Sequence, residues 1–181
     1  MTVTRMVWTF IESRDLTVMR RVHRWRAPRW MRMWMLTATR MGDGWLWYSV
    51  GIVVLLFGGA DRYTAFAASA VAEVGAVTLF QMLKKVSGRK RPCALEAHCW
   101  AKVLPPDQFS FPSGHSMSAF AIAVPLILLY PDFRIALLFA ALSIAASRII
   151  LGMHFLSDVV VGCVLGMMLG YGSFLLFQRL Y

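Results

Sequence analysis

Residues 133–177 read FRIALLFAALSIAASRIILGMHFLSDVVVGCVLGMMLGYGSFLLF. Two apolar runs, each of bilayer-spanning length, flank one polar patch that holds Ser147, Arg148, His154 and Asp158. A soluble domain has little use for two such runs in succession. Membrane helices joined at the bilayer surface account for both, and they leave the polar patch at headgroup level.

The pattern recurs upstream. Trp45 to about Gly58 reads as a first span, with Trp45, Trp47 and Tyr48 as interfacial anchors. A tight turn, Gly58-Gly59-Ala60-Asp61-Arg62, leads to a second span from about Tyr63 to Leu83. A polar loop covers 84–114, and a third span covers Ser116–Tyr130. Phe133–Leu151 and Phe155–Phe177 complete the set. The expectation is an all-α, polytopic transmembrane bundle of about five spanning helices. The division expected is 1–44, an amphipathic interfacial region, and 45–181, a transmembrane domain. Within 1–44, Arg29, Arg32 and Arg40 share one sector of a helix, and Trp30, Trp34 and Met41 another. A helix lying in the interface and an ordinary helix packed on the bundle both fit. Gly42-Asp43-Gly44 reads as the break that ends it.

The chain has 181 residues, 59% of them hydrophobic and 15% charged, with a net charge of +10. The basic excess sits in 1–44 and in the loop 84–114, so anionic lipid headgroups fit better than nucleic acid as its partner. No Cys/His cluster suggests a metal. Cys93 and Cys99 share the polar loop and could pair if it lies outside the cytoplasm, a pairing that spacing alone does not establish. No secretory leader is evident in the Arg-studded first residues.

Five crossings bring three polar patches to one membrane side: Lys84 with Arg91-Pro92, Pro112-Ser113-Gly114-His115, and Ser147-Arg148 with His154 and Asp158. On a helix, His154 and Asp158 would share a face, the carboxylate fixing one ring nitrogen and leaving the other basic. A structural His–Asp pair fits equally. Ser113 is a natural N-cap, and Gly114 would let backbone N–H groups approach an anion. His115 beside them suits a proton donor, or a plain interfacial histidine. Lys84, Arg91 and Arg148 supply the fixed cations that phosphoryl transfer requires. Lys85, Arg89 and Lys90 read as headgroup-level charge.

Taken together, Lys-x6-Arg-Pro, Pro-Ser-Gly-His and Ser-Arg-x5-His-x3-Asp, in that order from Lys84 to Asp158, resemble the three-part signature of the type 2 phosphatidic acid phosphatase superfamily at every position. The resemblance implies a lipid phosphatase acting on a phosphomonoester or pyrophosphate. Undecaprenyl diphosphate, phosphatidylglycerol phosphate, phosphatidic acid and lipid A phosphate are the candidate substrates. It implies His154 as the nucleophile forming a phosphohistidine, Asp158 as its orienting carboxylate, and His115 as the acid for the leaving oxygen. Lys84, Arg91, Ser113, Gly114 and Arg148 would bind the phosphate, with no metal or other cofactor. The residues alone do not choose between the two histidines as nucleophile. A lipid phosphotransferase would use the same intermediate, and a membrane binding or transport protein would not need the intact signature.

Orientation draws on two opposed arguments. The nine arginines of 1–44 would hold the site side in the cytoplasm by the positive-inside rule. The resemblance favours a bacterial inner-membrane protein with a periplasmic site. Glu73, inside the second span, reads as a polar lining of a lipid groove or as a glutamate bonded to a neighbouring helix. His23 and His98 carry no partner pattern. Gly162, Gly166 and Gly170 read as close packing within the bundle.

Overall fold

The computed structural model describes residues 3–25, 27–95 and 107–179, with side chains from residue 9 onward. The chain is helical, as its apolar runs require: inside a bilayer a helix satisfies its own backbone polar groups. Two helices, α1 (Val3–Arg24) and α2 (Arg29–Arg40), precede α3 (Leu46–Phe57) and α4 (Arg62–Ser87). A short α5 (Pro92–Leu95), α6 (Gly114–Leu129), α7 (Arg134–Ile150) and α8 (Leu156–Gln178) follow. Pro92 stands first in α5, where its missing N–H costs no helix bond. Gly88, left-handed at φ 57°, ends α4.

Among the described residues, three segments are long and apolar enough to cross a membrane: Gly59–Ser87, Pro131–Ile150 and Leu156–Gln178. Two of the five expected spans fall short of the ~20 residues a crossing takes. These are α6, with 16 residues, and α3, with 12.

The expected break at Gly42-Asp43-Gly44 is present. In the π-helical turn Met41–Trp45, between α2 and α3, Gly44 leaves helical geometry at φ 115°, ψ −27°, and kinks the chain. Only a glycine takes that conformation without strain, so this residue ends one helix and redirects the chain into the next. The α2 segment also packs on α7. Met35, Ala38 and Thr39 are buried there, while Arg29, Trp30, Arg32 and Arg40 stay exposed.

The centre of the bundle is α6, which packs against α4, α7 and α8. Small residues permit close approach, as expected where lipid supplies no hydrophobic drive between helices. Ala65, Ala68, Ala72 and Ala76 line the inner face of α4. On α8, Gly162 and Gly170 face α6 so closely that an added Cβ would lie 2.6 Å from the Ser113 carbonyl oxygen and 2.7 Å from that of Ala121. Gly166 abuts the Met117 backbone in the same way. Packing inside the bundle therefore accounts for this glycine repeat. Hydrogen bonds between helices add to it: Ser173 Oγ donates to the Ala68 carbonyl at 2.7 Å, and Ser118 Oγ to Glu73 Oε1 at 2.9 Å. Glu73 is thus bonded to a neighbouring helix, which is the second of its two sequence readings.

Candidate active site

The site lies where α4, α6, α7 and α8 end or begin on one face of the bundle. α7 stops just after Arg148, and the chain turns through Gly152 at φ 67°. The Met153 and His154 amides both donate to the Arg148 carbonyl, at 3.0 and 3.1 Å. That turn fixes the guanidinium and the imidazole relative to each other. His154 precedes α8, so it does not share a helical face with Asp158 as its spacing suggested. Asp158 instead closes the start of α8, accepting the Phe155 amide at 2.9 Å.

The imidazole is fully buried. Its Nδ1–H donates to the Ser110 carbonyl at 2.6 Å, while Asp158 Oδ2 is 3.7 Å away. A backbone carbonyl therefore fixes the tautomer, and the carboxylate contributes charge nearby. Asp158 also accepts the Ser110 hydroxyl and Arg89 Nη1, the latter at 2.6 Å. The other ring nitrogen, Nε2, faces Arg91 Nη1 at 3.1 Å. Burial, chiefly, and the charges of Arg148 and Arg91 push the His154 pKa down to about 3, against the pull of Asp158. The lowered pKa favours the neutral ring, whose Nε2 lone pair accepts from Arg91 Nη1.

Two of the expected cations meet on one carboxylate. Lys84 Nζ lies 2.5 Å from Asp107 Oδ2, and Arg91 Nη2 donates to Asp107 Oδ1 at 2.8 Å. Arg91 Nε reaches the Asp107 carbonyl at 2.9 Å, and Nη1 reaches the Met153 carbonyl at 3.0 Å. Burial alone would raise the Asp107 pKa, but Lys84 and Arg91 hold it below the usual carboxylate value. Arg148 is buried and donates through Nη1 to the Thr39 hydroxyl. Its Nε finds no partner among the described residues. A buried, unpaired guanidinium N–H is costly in a protein interior and well suited to an arriving anion.

Ser113 is the residue before α6, as expected, with extended backbone. Its hydroxyl pairs with Ser116 Oγ at 2.9 Å instead of capping a helix amide, and its own amide donates to the Asp158 carbonyl at 3.0 Å. Gly114 is closely packed: an added Cβ would lie 3.3 Å from the Phe80 ring, which would have to give by a few tenths of an ångström. That ring also lies under Lys84 Nζ, 5.3 Å from its centroid. His115 is one-fifth exposed and bonds through Nε2 to Asp43 Oδ1 at 2.7 Å. Burial first, then the charges of Arg148 and Lys84, push its pKa down to about 4, against the pull of Asp43. All eight residues singled out in the sequence thus stand in or beside one cluster.

Several neighbours were not legible in the sequence. Arg89 was read as headgroup-level charge, but it is buried. It bonds Asp15 of α1 at 2.7 Å as well as Asp158, and its guanidinium lies 4.3 Å from the Phe155 ring centroid. Breaking one side of such a buried pair typically costs ~3–5 kcal/mol. Asp15 also accepts from the Ser157 amide at 3.1 Å, which docks α1 beside the start of α8. Asp43, Thr39, Ser110 and Asp107 complete the surroundings. A carboxylate between two glycines was the one signal that could have singled out Asp43. The loop holding Ser110 is fixed by its amide, which donates to the Arg89 carbonyl at 2.7 Å. The proposed Cys93–Cys99 pairing and His98 involve residues outside those described.

A family model described as PAP2 superfamily matches residues 62–181. A lipid A 1-phosphatase of Rhizobium johnstonii is 30% identical over 105 residues, 56% of this chain and 43% of that protein. An undecaprenyl-diphosphatase of Sulfolobus acidocaldarius is 26% identical over 140 residues, covering 77% and 67% of the two chains. The chain thus spans less than half the length of the Rhizobium relative. Two solved structures share the fold. One is a transmembrane PAP2 type phosphatidylglycerolphosphate phosphatase of Bacillus subtilis, with TM-score 0.74, 22% identity, and coverage of 94% of this chain and 88% of that one. The other is Aquifex aeolicus LpxE, with TM-score 0.72, 26% identity, and coverage of 87% and 93%.

Proposed function

We propose, because the chain belongs to the PAP2 superfamily, that it hydrolyses a lipid phosphomonoester or pyrophosphate at the membrane surface through a phosphohistidine. The observation that carries this reading is His154: buried and neutral, Nδ1–H held by a carbonyl, and Nε2 turned to Arg91 at 3.1 Å. A weak nucleophile needs an unprotonated nitrogen in a fixed direction beside cations that receive the phosphoryl oxygens, and Nε2 meets this once Arg91 turns its Nη1–H from the ring to the phosphate.

In the first step Nε2 attacks phosphorus. The N–P bond forms, the P–O bond to the lipid breaks, and a proton passes from His115 to the departing oxygen. Arg91, Arg148 and Lys84, with the Gly114 amide and Ser113, bear the charge on the remaining phosphoryl oxygens. The positive charge that develops on the His154 ring is offset by Asp158, 3.7 Å from Nδ1. In the second step water attacks the same phosphorus and returns a proton to His115. The N–P bond then breaks and phosphate leaves. The substrate class follows the relatives: an isoprenoid diphosphate, a lipid A phosphate or a glycerolipid phosphomonoester.

We read the protein as residing in a bacterial inner membrane with the site toward the periplasm. The exposed arginines of α1 and α2 (Arg20, Arg21, Arg24, Arg29, Arg32 and Arg40) lie against anionic headgroups. The test of the reaction uses a lipid carrying labelled phosphate and the purified protein in detergent. Label is expected in inorganic phosphate with the native chain and nowhere with His154→Ala. Undiminished release by that variant would sink the site assignment. Label transferred mainly to an acceptor lipid would make the protein a phosphotransferase.

A further inference from the structure

We propose that Asp43 is a positioning residue for the proton transfer assigned above to His115, an inference that rests on that assignment. Asp43 lies ahead of the stretch matched by the family model, in the π-helical turn that joins α2 to α3. Its Oδ1 lies 2.7 Å from His115 Nε2.

Two further features of the turn hold that contact in place. At Gly42 an added Cβ would lie 2.9 Å from Ile144 Cγ2 and 3.1 Å from His115 Cδ2, so the turn sits flush against both α6 and α7. At Gly44 the backbone adopts φ 115°, the kink that turns the chain from α2 into α3 and that a glycine takes without strain. Any larger residue at 42 would push the carboxylate off the ring. The Asp43 side chain is itself more than half exposed. Water could solvate it fully, so its engagement with His115 answers no need of its own.

The need is on the histidine side. Burial disfavours a charged His115 most, and the cations a phosphate site requires, Arg148 and Lys84, act in the same direction. Left alone these would suppress the imidazolium that must deliver a proton to the leaving oxygen. Asp43 is the carboxylate that faces the ring against them. It accepts Nε2–H, which leaves Nδ1 as the nitrogen for proton transfer, and it offsets the charge of the doubly protonated ring. The proton then moves from Nδ1 to the alkoxide oxygen as the P–O bond breaks. Asp43 touches neither substrate nor phosphate and acts only through His115.

The consequence is a dependence on the leaving group, which a merely structural residue would not produce. A lipid alcohol is a poor leaving group and needs the proton, whereas 4-nitrophenolate leaves without it. The quantity to measure is kcat/KM, which reports the step that expels the leaving group. His115→Ala should lose about 10²–10⁴-fold on a lipid phosphomonoester, the usual value of general acid catalysis, and far less on 4-nitrophenyl phosphate. Asp43→Asn and Asp43→Ala should each lose about 10- to 100-fold on the lipid, a charge-assisted hydrogen bond's worth, and less than about threefold on the aryl ester. Combining Asp43→Asn with His115→Ala should lower the rate no further. Equal losses on both substrates, or none on the lipid, for the Asp43 variants would overturn the inference. If His115→Ala itself shows no difference between the substrates, the assignment to His115 fails first and takes the inference with it.

Discussion

Asp107 bears on the cations proposed to bind phosphate. Its carboxylate already joins Lys84 and Arg91, two of the three. Under the proposed roles phosphate entry would be an exchange of anions, and a group with two negative charges displaces a carboxylate more readily than one with a single charge. Phosphomonoesters and pyrophosphates meet that condition, but the phosphodiesters of ordinary phospholipids do not. Asp107→Asn should bind inorganic phosphate or vanadate about two- to fivefold more tightly. The gain is modest because a pair one-third exposed is worth at most ~1 kcal/mol. Inhibition constants measured on the two proteins check this, and weaker binding by the variant would mean that Asp107 orients the cations instead of competing for them. The sequence could show Lys84, Arg91, Arg148 and both histidines because each carries its chemistry in its residue type. It could not show that a backbone carbonyl, Ser110, fixes the His154 tautomer, since any residue supplies a carbonyl. Nor could it distinguish Arg89 from Lys85 and Lys90, because burial is decided by α1, far away in sequence.

Among the elements, the pairing of α6 with α8 does most to place the site. Helical periodicity and apolar content made both helices legible, and the glycine repeat announced a close neighbour without saying which. The structure gives the contact atom by atom: Gly162 faces the carbonyl of Ser113, whose amide is bonded to the Asp158 carbonyl. Gly162→Ala forces a methyl to within 2.6 Å of that oxygen, so one helix must move. A loss of ~1–3 kcal/mol in stability is expected, the range for overpacking. Turnover should fall with it as Ser113 shifts. Gly172→Ala, on the same helix with nothing within 4 Å, should leave both unchanged. Thermal unfolding in detergent compares the pair, and a native melting point for Gly162→Ala would refute the packing argument. Gly42-Asp43-Gly44 was legible as a helix break, and the chain does kink at Gly44. What the sequence could not show is that Ile144 and His115 lie against that turn, because both come from distant helices.

For the whole molecule, counting crossings brought the three polar patches to one face, and the folded chain brings them together there. The count itself is not matched by helix length, because α3 and α6 are shorter than a full crossing and apolarity alone does not reveal where a run will stop. Which compartment the face meets is decided by the molecule as a unit, and Cys93 reports it. In spheroplasts of a host carrying a Cys163→Ala version, a membrane-impermeant thiol reagent applied after reduction should label the loop that holds Cys93. Labelling only after the membrane is ruptured would put the site in the cytoplasm and restore the arginine argument.

Thr39 and Asp15 come early in the chain, but the guanidinium and serine groups they hold come late. Arg148 meets Thr39 across 109 positions, and Ser157 meets Asp15 across 142. During synthesis α1 and α2 leave the ribosome long before α7 and the start of α8. The last turn to emerge is the one that carries His154. Until it arrives, the earlier helices hold polar groups without their eventual companions, and no arrangement of them can perform chemistry. Under the proposed roles, a nascent chain in the membrane cannot assemble the site until the turn that carries His154 has been made.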